Sequence, residues 1–394
     1  LTESFESLIS FTDQHLELLS QYLQGIHLLS YCPDSIQAKI LGAGEQFSVQ
    51  LMTALLASLQ TKVQILDSVQ YVKSQGDYLN AVADIPATQA AFAQVDFAKL
   101  NQVWVMAGFV SSLASGELAL LGRNGSDYSA AIIAAGVQAS ACEIWTDVDG
   151  VYSADPRQVK QAKLISQLSY AEAMELSYFG AKVLHPKTIG PLAMAKIPCT
   201  IKNTLNPDAP GSCIGIESDS ELVKGISSLE HLALITVSGP GLKGVVGMAS
   251  RVFAAMALEK VSVNLITQSS SEFSISFCVA ASDLKRACLA LESEFELELQ
   301  AYLLDPLTVE ADVAIVSLVG DGMRKQKGMA AKFFASLAQA RVNVVAIAQG
   351  SSERSISAVV KQSACADAVK VSHENFFTHI PSIDVFLVGC GVVG

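Results

Sequence analysis

The sequence predicts an α/β protein in two parts: a layered domain with a mainly parallel sheet, followed by a pair of βαββαβ sandwiches. Three observations carry that expectation. Residues 1 to about 215 alternate helix-periodic and strand-like stretches, the pattern of strands joined by helices. The turn-rich Asn206-Pro207-Asp208-Ala209-Pro210-Gly211-Ser212 then punctuates the chain. Beyond it the sequence repeats itself at an offset of 81 positions, with Gly239 falling on Gly320.

In the first part, apolar residues at helical spacing predict helices near 3–24, 46–59, 127–140 and 170–195. Short β-branched and apolar runs predict strands at Val63–Leu66, Val103–Gly108, Leu118–Leu120, Cys142–Thr146 and Thr200–Lys202.

The repeat then holds its frame without a gap. Gly241 matches Gly322, Gly247-Met248-Ala249 matches Gly328-Met329-Ala330, and Phe253-Ala254 matches Phe334-Ala335. Gln268 matches Gln349, Ser270-Ser271-Glu272 matches Ser351-Ser352-Glu353, and Ser274-Ile275-Ser276 matches Ser355-Ile356-Ser357. In the first copy the predicted order is strand 233–238, glycine loop, helix 247–258, strands 262–267 and 272–279, and helix 283–295. A strand at Leu222–Ile226, ahead of the first copy, is expected to complete the sheet of the second.

Composition narrows the function classes. The chain has 394 residues, 51% of them hydrophobic, and a formal charge of −12 with no basic stripe, so nucleic acid is excluded as an expected partner. The apolar runs are short and interrupted, so no membrane span is expected. Eight cysteines without a C-x-x-C pair point to reduced thiols in the cytoplasm, and the six histidines lack metal-ligand spacing. Both ends read as cut: the N-terminus opens inside an amphipathic helix, and the C-terminus stops at Gly389-x-Gly391-x-x-Gly394, the start of a dinucleotide fingerprint.

One stretch concentrates chemistry. Leu121-Gly122-Arg123-Asn124-Gly125-Ser126-Asp127-Tyr128-Ser129 sets a cation, two glycines, hydroxyls and a carboxylate where a loop becomes a helix. Such a helix start seats a carboxylate or phosphate, or Ser126 and Asp127 simply cap the helix; the residues alone leave both readings open. Asp147-Val148-Asp149-Gly150 is likewise a turn, or a turn that binds.

Together with Trp145–Tyr152, Asp155-Pro156-Arg157 and Phe179-Gly180-Ala181-Lys182-Val183-Leu184-His185-Pro186, these motifs resemble the aspartokinase branch of the amino-acid kinase family, followed by two ACT regulatory domains. The terminal glycines extend the resemblance to the threonine-sensitive bifunctional aspartokinase–homoserine dehydrogenases. The resemblance implies an amino-acid-kinase-like domain over 1–215 and ferredoxin-like ACT domains over 216–382. These are a first copy at about 231–300 and a second at about 312–380 plus 222–226, with the start of a dehydrogenase domain at 383–394.

It also implies roles. The β-carboxylate of aspartate attacks the γ-phosphate of ATP, with Mg2+ accompanying the nucleotide. Arg123 and Ser126 then bind aspartate, Phe109 lines its pocket, Glu45 stands near its ammonium, and Asp127 orders the cations. Thr146, Asp147, Tyr152, Arg157 and Lys182 fall to the nucleotide, while His185 reads as a packed residue. Threonine is the implied effector, contacting Gln268 and Gln349 and the loops of Gly239, Gly241, Gly320 and Gly322, in a homo-oligomer joined through ACT domains. NAD(P) belongs to the dehydrogenase portion alone.

One departure counts against activity. Nothing in residues 1–40 resembles the family's Lys-Phe-Gly-Gly-Thr/Ser-Ser phosphate cradle, so this polypeptide is expected to bind nucleotide weakly and to have little kinase activity. The alternative reading is an amino-acid-sensing ACT assembly module without catalysis.

Overall fold

The computed structural model describes residues 2–97, 102–178, 185–217, 221–242, 244–269 and 273–378. The chain divides into two compact units, Leu1–Val151 with Leu164–Asp219, and Tyr152–Lys163 with Ser220–Gly394. Residues 152–163 thus leave the first unit, join the second, and return.

The first unit opens with two long helices, α1 (Thr2–Leu29) and α2 (Asp34–Ser58). Helix α2 starts 12 residues earlier than the pattern suggests (34 against 46), and Gly42 and Gly44 lie inside it. At Gly42 the missing side chain is filled by Val110, Leu118 and Leu120, which is why a glycine is tolerated there. The chain continues through β1 (Val63–Ile65), α3 (Ser68–Tyr71), β2 (Ser74–Gln75), β3 (Val82–Ala83) and α4 (Ile85–Phe92). Next come β4 (Val103–Val105), β5 (Val110–Ser112), β6 (Leu118–Leu120), α5 (Gly125–Gly136) and β7 (Cys142–Thr146). The unit ends with β8 (Gln167–Ser169), α6 (Tyr170–Tyr178), α7 (Pro186–Ala195), β9 (Cys199–Asn203) and β10 (Ser212–Gly215).

Strands β1 and β4, β7 and β9, and β8 and β10 pair in parallel, while β9–β10, β2–β3 and β5–β6 are antiparallel. Strands β8 and β10 had no clear sequence signal; each is short and two of the three residues of β8 are polar, so alternation gave nothing to read. The helical stretch expected over 170–195 is described as two helices, α6 and α7.

The second unit is one six-stranded sheet in the order β12-β13-β11-β14-β16-β15. Its elements are β11 (Gly225–Ser238), α8 (Met248–Leu258), β12 (Val263–Gln268), β13 (Ser274–Ala280), α9 (Leu284–Glu294) and α10 (Glu296–Gln300). Then follow β14 (Thr308–Val319), α11 (Met329–Gln339), β15 (Val344–Gln349), β16 (Ser355–Lys361) and α12 (Cys365–Phe377).

The repeat explains the topology. Strand β11 is continuous rather than two strands: Gly225–Leu229 pairs with Ile315–Val319 in the second copy, and Leu232–Ser238 pairs with β13 in the first. Strand β14 does the same in reverse, so each copy lends one half-strand to the other. The switch falls at His231 and Asp312, 81 positions apart, both with left-handed backbone (φ 60 and 54). Two cores result. Ile235, Val237, Val252, Phe277 and Leu291 fill the first, and Val316, Leu318, Phe333, Leu337 and Val360 the second. Ala154 and Val159, from the 152–163 excursion, belong to the second core.

Candidate functional site

The loop before α5 is held by backbone contacts that only small residues permit. Phe109 takes a left-handed conformation (φ 65); its N–H donates to Ser129 Oγ at 2.8 Å, and its carbonyl accepts from Leu121 N at 2.9 Å. Ser129 Oγ in turn donates to the Gly125 carbonyl at 2.8 Å. A Cβ on Gly125 would collide with the Phe109 ring and lie 3.2 Å from its Cα; one on Gly108 would lie 3.3 Å from Ser126 Cα. Gly122, at φ 76, sits against Asn80. These contacts fix the start of α5.

The helix N-cap is Asn124, itself left-handed (φ 58), and its side chain makes no capping bond. Ser126 and Asp127 therefore stand in the first turn rather than at the cap, where the free N–H groups and the helix dipole favour an anion. Arg123 and Ser126 are exposed and Asp127 is half-buried. Burial pushes the Asp127 carboxyl up from the ordinary aspartate value.

A second helix start lies in the same unit. His185 caps α7, its Nδ1 accepting from Lys187 N at 3.1 Å, and its pKa is lowered by burial and by the charges of Lys187 and Arg123. Lys187 Nζ donates to Asn80 Oδ1 at 2.8 Å, the same side chain that packs on Gly122. Asn80 was missed in the sequence because it is a lone polar residue with no motif around it, and Lys187 because it falls one position beyond the Phe179–Pro186 motif.

At the ends of the parallel strands β7 and β9, Thr146 Oγ1 donates to Asp147 Oδ1 at 3.2 Å. Asp149 Oδ1 accepts from Asn203 Nδ2 at 2.8 Å and Asn206 Nδ2 at 3.2 Å. Carboxyl ends of parallel strands are where α/β folds bind ligands. Lys202 Nζ lies 5.0 Å from the Trp145 ring centroid on this face.

Not all expected residues come together. Glu45 is half-buried in the middle of α2, not near a helix N-terminus. Tyr152 and Arg157 belong to the second unit, and the exposed Arg157 guanidinium is already gripped by Asp155 in two bonds of 3.0 and 2.7 Å. Lys182 and Gly389–Gly394 lie outside the described residues. In the second unit, Gln268 and Gln349 are both exposed at the ends of β12 and β15, and Gln268 also lines a cavity of about 370 Å³. Gly239 and Gly241 pack against the backbone of Leu303–Asp305, and Gly320 and Gly322 against Leu222–Lys224.

Among the described residues no helix is long and apolar enough to cross a membrane, and no cluster of three or more His, Cys, Asp or Glu side chains is arranged for a metal.

Fold and loops define an amino-acid kinase core joined to a pair of ACT modules. The family model described as amino acid kinase matches residues 9–203, and that described as ACT domain matches residues 235–295 and 316–376. The chain belongs to the aspartokinase family: it is 30% identical over 381 residues to the aspartokinase of Schizosaccharomyces pombe, covering 90% of this chain and 72% of that protein. It is also 52% identical over 374 residues to the bifunctional aspartokinase/homoserine dehydrogenase of Haemophilus influenzae, covering 94% of this chain and 46% of that one. The chain therefore spans about half the length of the bifunctional relatives it matches. Among solved structures, aspartokinase III of E. coli in complex with aspartate and ADP superposes with a TM-score of 0.77 at 28% identity, covering 95% of this chain and 88% of that one.

Proposed function

We propose that this chain is the aspartate kinase portion of a bifunctional aspartokinase/homoserine dehydrogenase, a protein that transfers phosphate from MgATP to the β-carboxylate of aspartate, and that this polypeptide, with no phosphate-cradle motif in residues 1–40, binds nucleotide weakly and transfers little by itself. Arg123 grips an aspartate carboxylate in a planar fork, Ser126 and the α5 N-terminus add donors, Phe109 walls the pocket, and Glu45 meets the ammonium. Asp127 would supply the carboxylate that holds Mg2+, which would neutralise charge on the nucleotide phosphates. Thr146 and Asp147 contact the nucleotide; Tyr152, Arg157 and Lys182 are part of the same proposal. Transfer of this kind asks for positioning and charge neutralisation rather than covalent chemistry.

The observation that carries the reading is the Phe109–Ser129–Gly125 lock, which presents Arg123, Ser126 and Asp127 at a single helix start. Titration calorimetry tests it. L-aspartate is expected to bind in the presence of MgADP, and Arg123→Lys to weaken it about tenfold by losing the bidentate grip. Equal binding of aspartate by both proteins rejects the assignment.

Regulation is part of the proposal: threonine binds the ACT unit through Gln268 and Gln349, and its binding shifts the kinase between two states. Assembly into a homo-oligomer through the ACT unit is part of the same proposal. NAD(P) serves only the dehydrogenase portion of such a protein, and the site of action is the cytoplasm.

A further inference from the structure

Arg123 is exposed, so its long side chain keeps its rotamer freedom and is aimed chiefly by its backbone. The Phe109–Ser129–Gly125 lock fixes the backbone that follows it. Gly122, which precedes it, is held from elsewhere. Its backbone is left-handed (φ 76), and a Cβ there would collide with Asn80 Oδ1 and lie 3.5 Å from Asn80 Cα. The Asn80 amide thus fills the space that a side chain at 122 would take.

Two backbone bonds deliver Asn80 to that place. The Leu120 N–H donates to the Tyr78 carbonyl at 2.7 Å, and the Ala81 N–H donates to the Leu120 carbonyl at 2.8 Å. They bracket residues 79 and 80 against Leu120, which is buried. The terminal torsion of an asparagine is soft, so the bracket alone does not orient its amide. Lys187 does, because Nζ donates to Oδ1 at 2.8 Å and a lysine can only donate.

Lys187 is itself well placed. It stands in the first turn of α7, where its N–H donates to the capping His185 Nδ1 at 3.1 Å, and α7 packs against α5. Burial, and then the charges of Lys187 and Arg123, hold the His185 pKa down, so both cations lie within electrostatic reach of one ring. A line of contacts therefore runs from the start of α7 through Asn80 to the residue before Arg123. The partner of Lys187 is a neutral amide, which orients the ammonium without cancelling its charge.

We propose that Lys187 is a positioning residue of the aspartate pocket: through the Asn80 amide it pins Gly122, and so sets the direction from which Arg123 reaches the ligand carboxylate. This rests on the reading of Arg123 as the residue that grips aspartate. A two-pronged grip depends on angle, so freeing the backbone one residue upstream costs affinity without removing any group that touches the ligand.

Calorimetric titration with L-aspartate in the presence of MgADP tests the inference on the full chain. Lys187→Met, which keeps the apolar stem and loses the donor, and Asn80→Ala are each expected to weaken aspartate about fivefold, the loss of one hydrogen bond. Lys187→Arg still donates and is expected to keep most of the affinity. The decisive measurement is the cycle with Arg123→Lys. Once the fork is gone its direction no longer counts, so Lys187→Met is expected to cost less than about twofold in that background. Thermal melts check that each variant is folded.

A loss in Lys187→Met that is equal in both backgrounds makes the residue a general support of the unit and overturns the inference. A loss in Lys187→Met with none in Asn80→Ala assigns the effect to the charge itself and overturns the route through Asn80. Unchanged affinity in both variants, where Arg123→Lys does weaken binding, overturns the inference and leaves the pocket standing. Equal binding by the parent and Arg123→Lys, or no aspartate binding by the parent, rejects the pocket reading and the inference with it.

Discussion

Ser153 and His373, 220 positions apart, meet at 2.8 Å between Oγ and Nε2 in the interior of the second unit. Ser153 comes from the excursion of residues 152–163, and its N–H and Oγ bind the Lys163 carbonyl and N–H at 2.8 and 2.9 Å. His373 stacks on Phe377, and its Nδ1 has no partner. The excursion is thus tied to α12 by Lys163 Nζ, which donates to the Phe377 carbonyl at 3.3 Å, and by the neutral Ser153–His373 hydrogen bond.

That bond is pH-sensitive. Burial and the charge of Lys163 lower the His373 pKa, against an opposing pull from Glu374. A histidine whose folded pKa is depressed stabilises the fold fully above its unfolded pKa, because only the unfolded chain takes up a proton below it. Stability is therefore expected to fall as pH drops below the ordinary histidine range. Thermal melts of the parent and of His373→Gln, from pH 7.5 to 5, check this. The parent is expected to lose more over that interval than the variant, and parallel pH slopes count against the assignment. At pH 7.5, Ser153→Ala is expected to cost about 1 kcal/mol.

The lock at α5 predicts a different kind of failure. A methyl on Gly125 meets both the ring and the backbone of Phe109, and the backbone is held by the Phe109 N–H bond to Ser129 Oγ. Gly125→Ala is expected to destabilise the first unit by about 1–3 kcal/mol and to weaken aspartate binding with it. Gly44→Ala, in the interior of α2 with nothing within 4 Å, is the control and is expected to be neutral or slightly stabilising. Denaturant midpoints of the two variants decide between a site held by packing and one held by its polar groups alone.

What the sequence disclosed follows from the same physics. The repeat showed because identities recur in one frame at 81 positions, and several turns recur with them: left-handed Gly247, Lys260 and His231 match left-handed Gly328, Arg341 and Asp312. The α5 loop showed because its glycines answer close backbone approaches. The exchange of half-strands did not show, since a strand reads alike whether it serves one copy or two. Nor did the excursion of residues 152–163, whose short apolar residues Ala154 and Val159 carry no periodicity. Asn80 and Lys187 join the loop only through tertiary contacts, which no local pattern records.

The glycines of the ACT loops carry a prediction of their own. The Gly241 N–H donates to the Leu303 carbonyl at 2.7 Å, and a Cβ on Gly241 would lie 2.8 Å from that oxygen. A Cβ on Gly322 would lie 2.6 Å from Leu222 Cα, and Leu222 precedes Leu303 by the same 81 positions. Each loop is therefore closed on a segment of its own chain. Gly241→Ala and Gly322→Ala are each expected to destabilise the second unit by about 1–3 kcal/mol, and by similar amounts because the contact is repeated. Hydrogen exchange read at 222–224 and 303–305 locates the damage; protection at both segments unchanged in both variants is the contrary result.

Asp127 sets stability against function in one residue. Its carboxyl is half-buried, and burial raises its pKa above the ordinary aspartate value. A carboxylate with a raised folded pKa opposes folding once ionised, so its unfavourable contribution grows as pH rises through the unfolded and then the folded pKa. Replacing it with the neutral isostere removes that contribution. Asp127→Asn is therefore expected to raise the melting temperature at pH 7.5 and to leave it nearly unchanged at pH 4. The same substitution removes the charge proposed to order Mg2+, so Mg2+-dependent tightening of ADP, followed by calorimetry, is expected to disappear in the variant. In the parent, that tightening is expected to appear only as pH rises through the raised Asp127 pKa, later than a solvent-exposed aspartate would allow. A variant that is more stable yet retains full Mg2+ dependence would leave Asp127 a buried carboxylate of the helix start and assign the cation to another group.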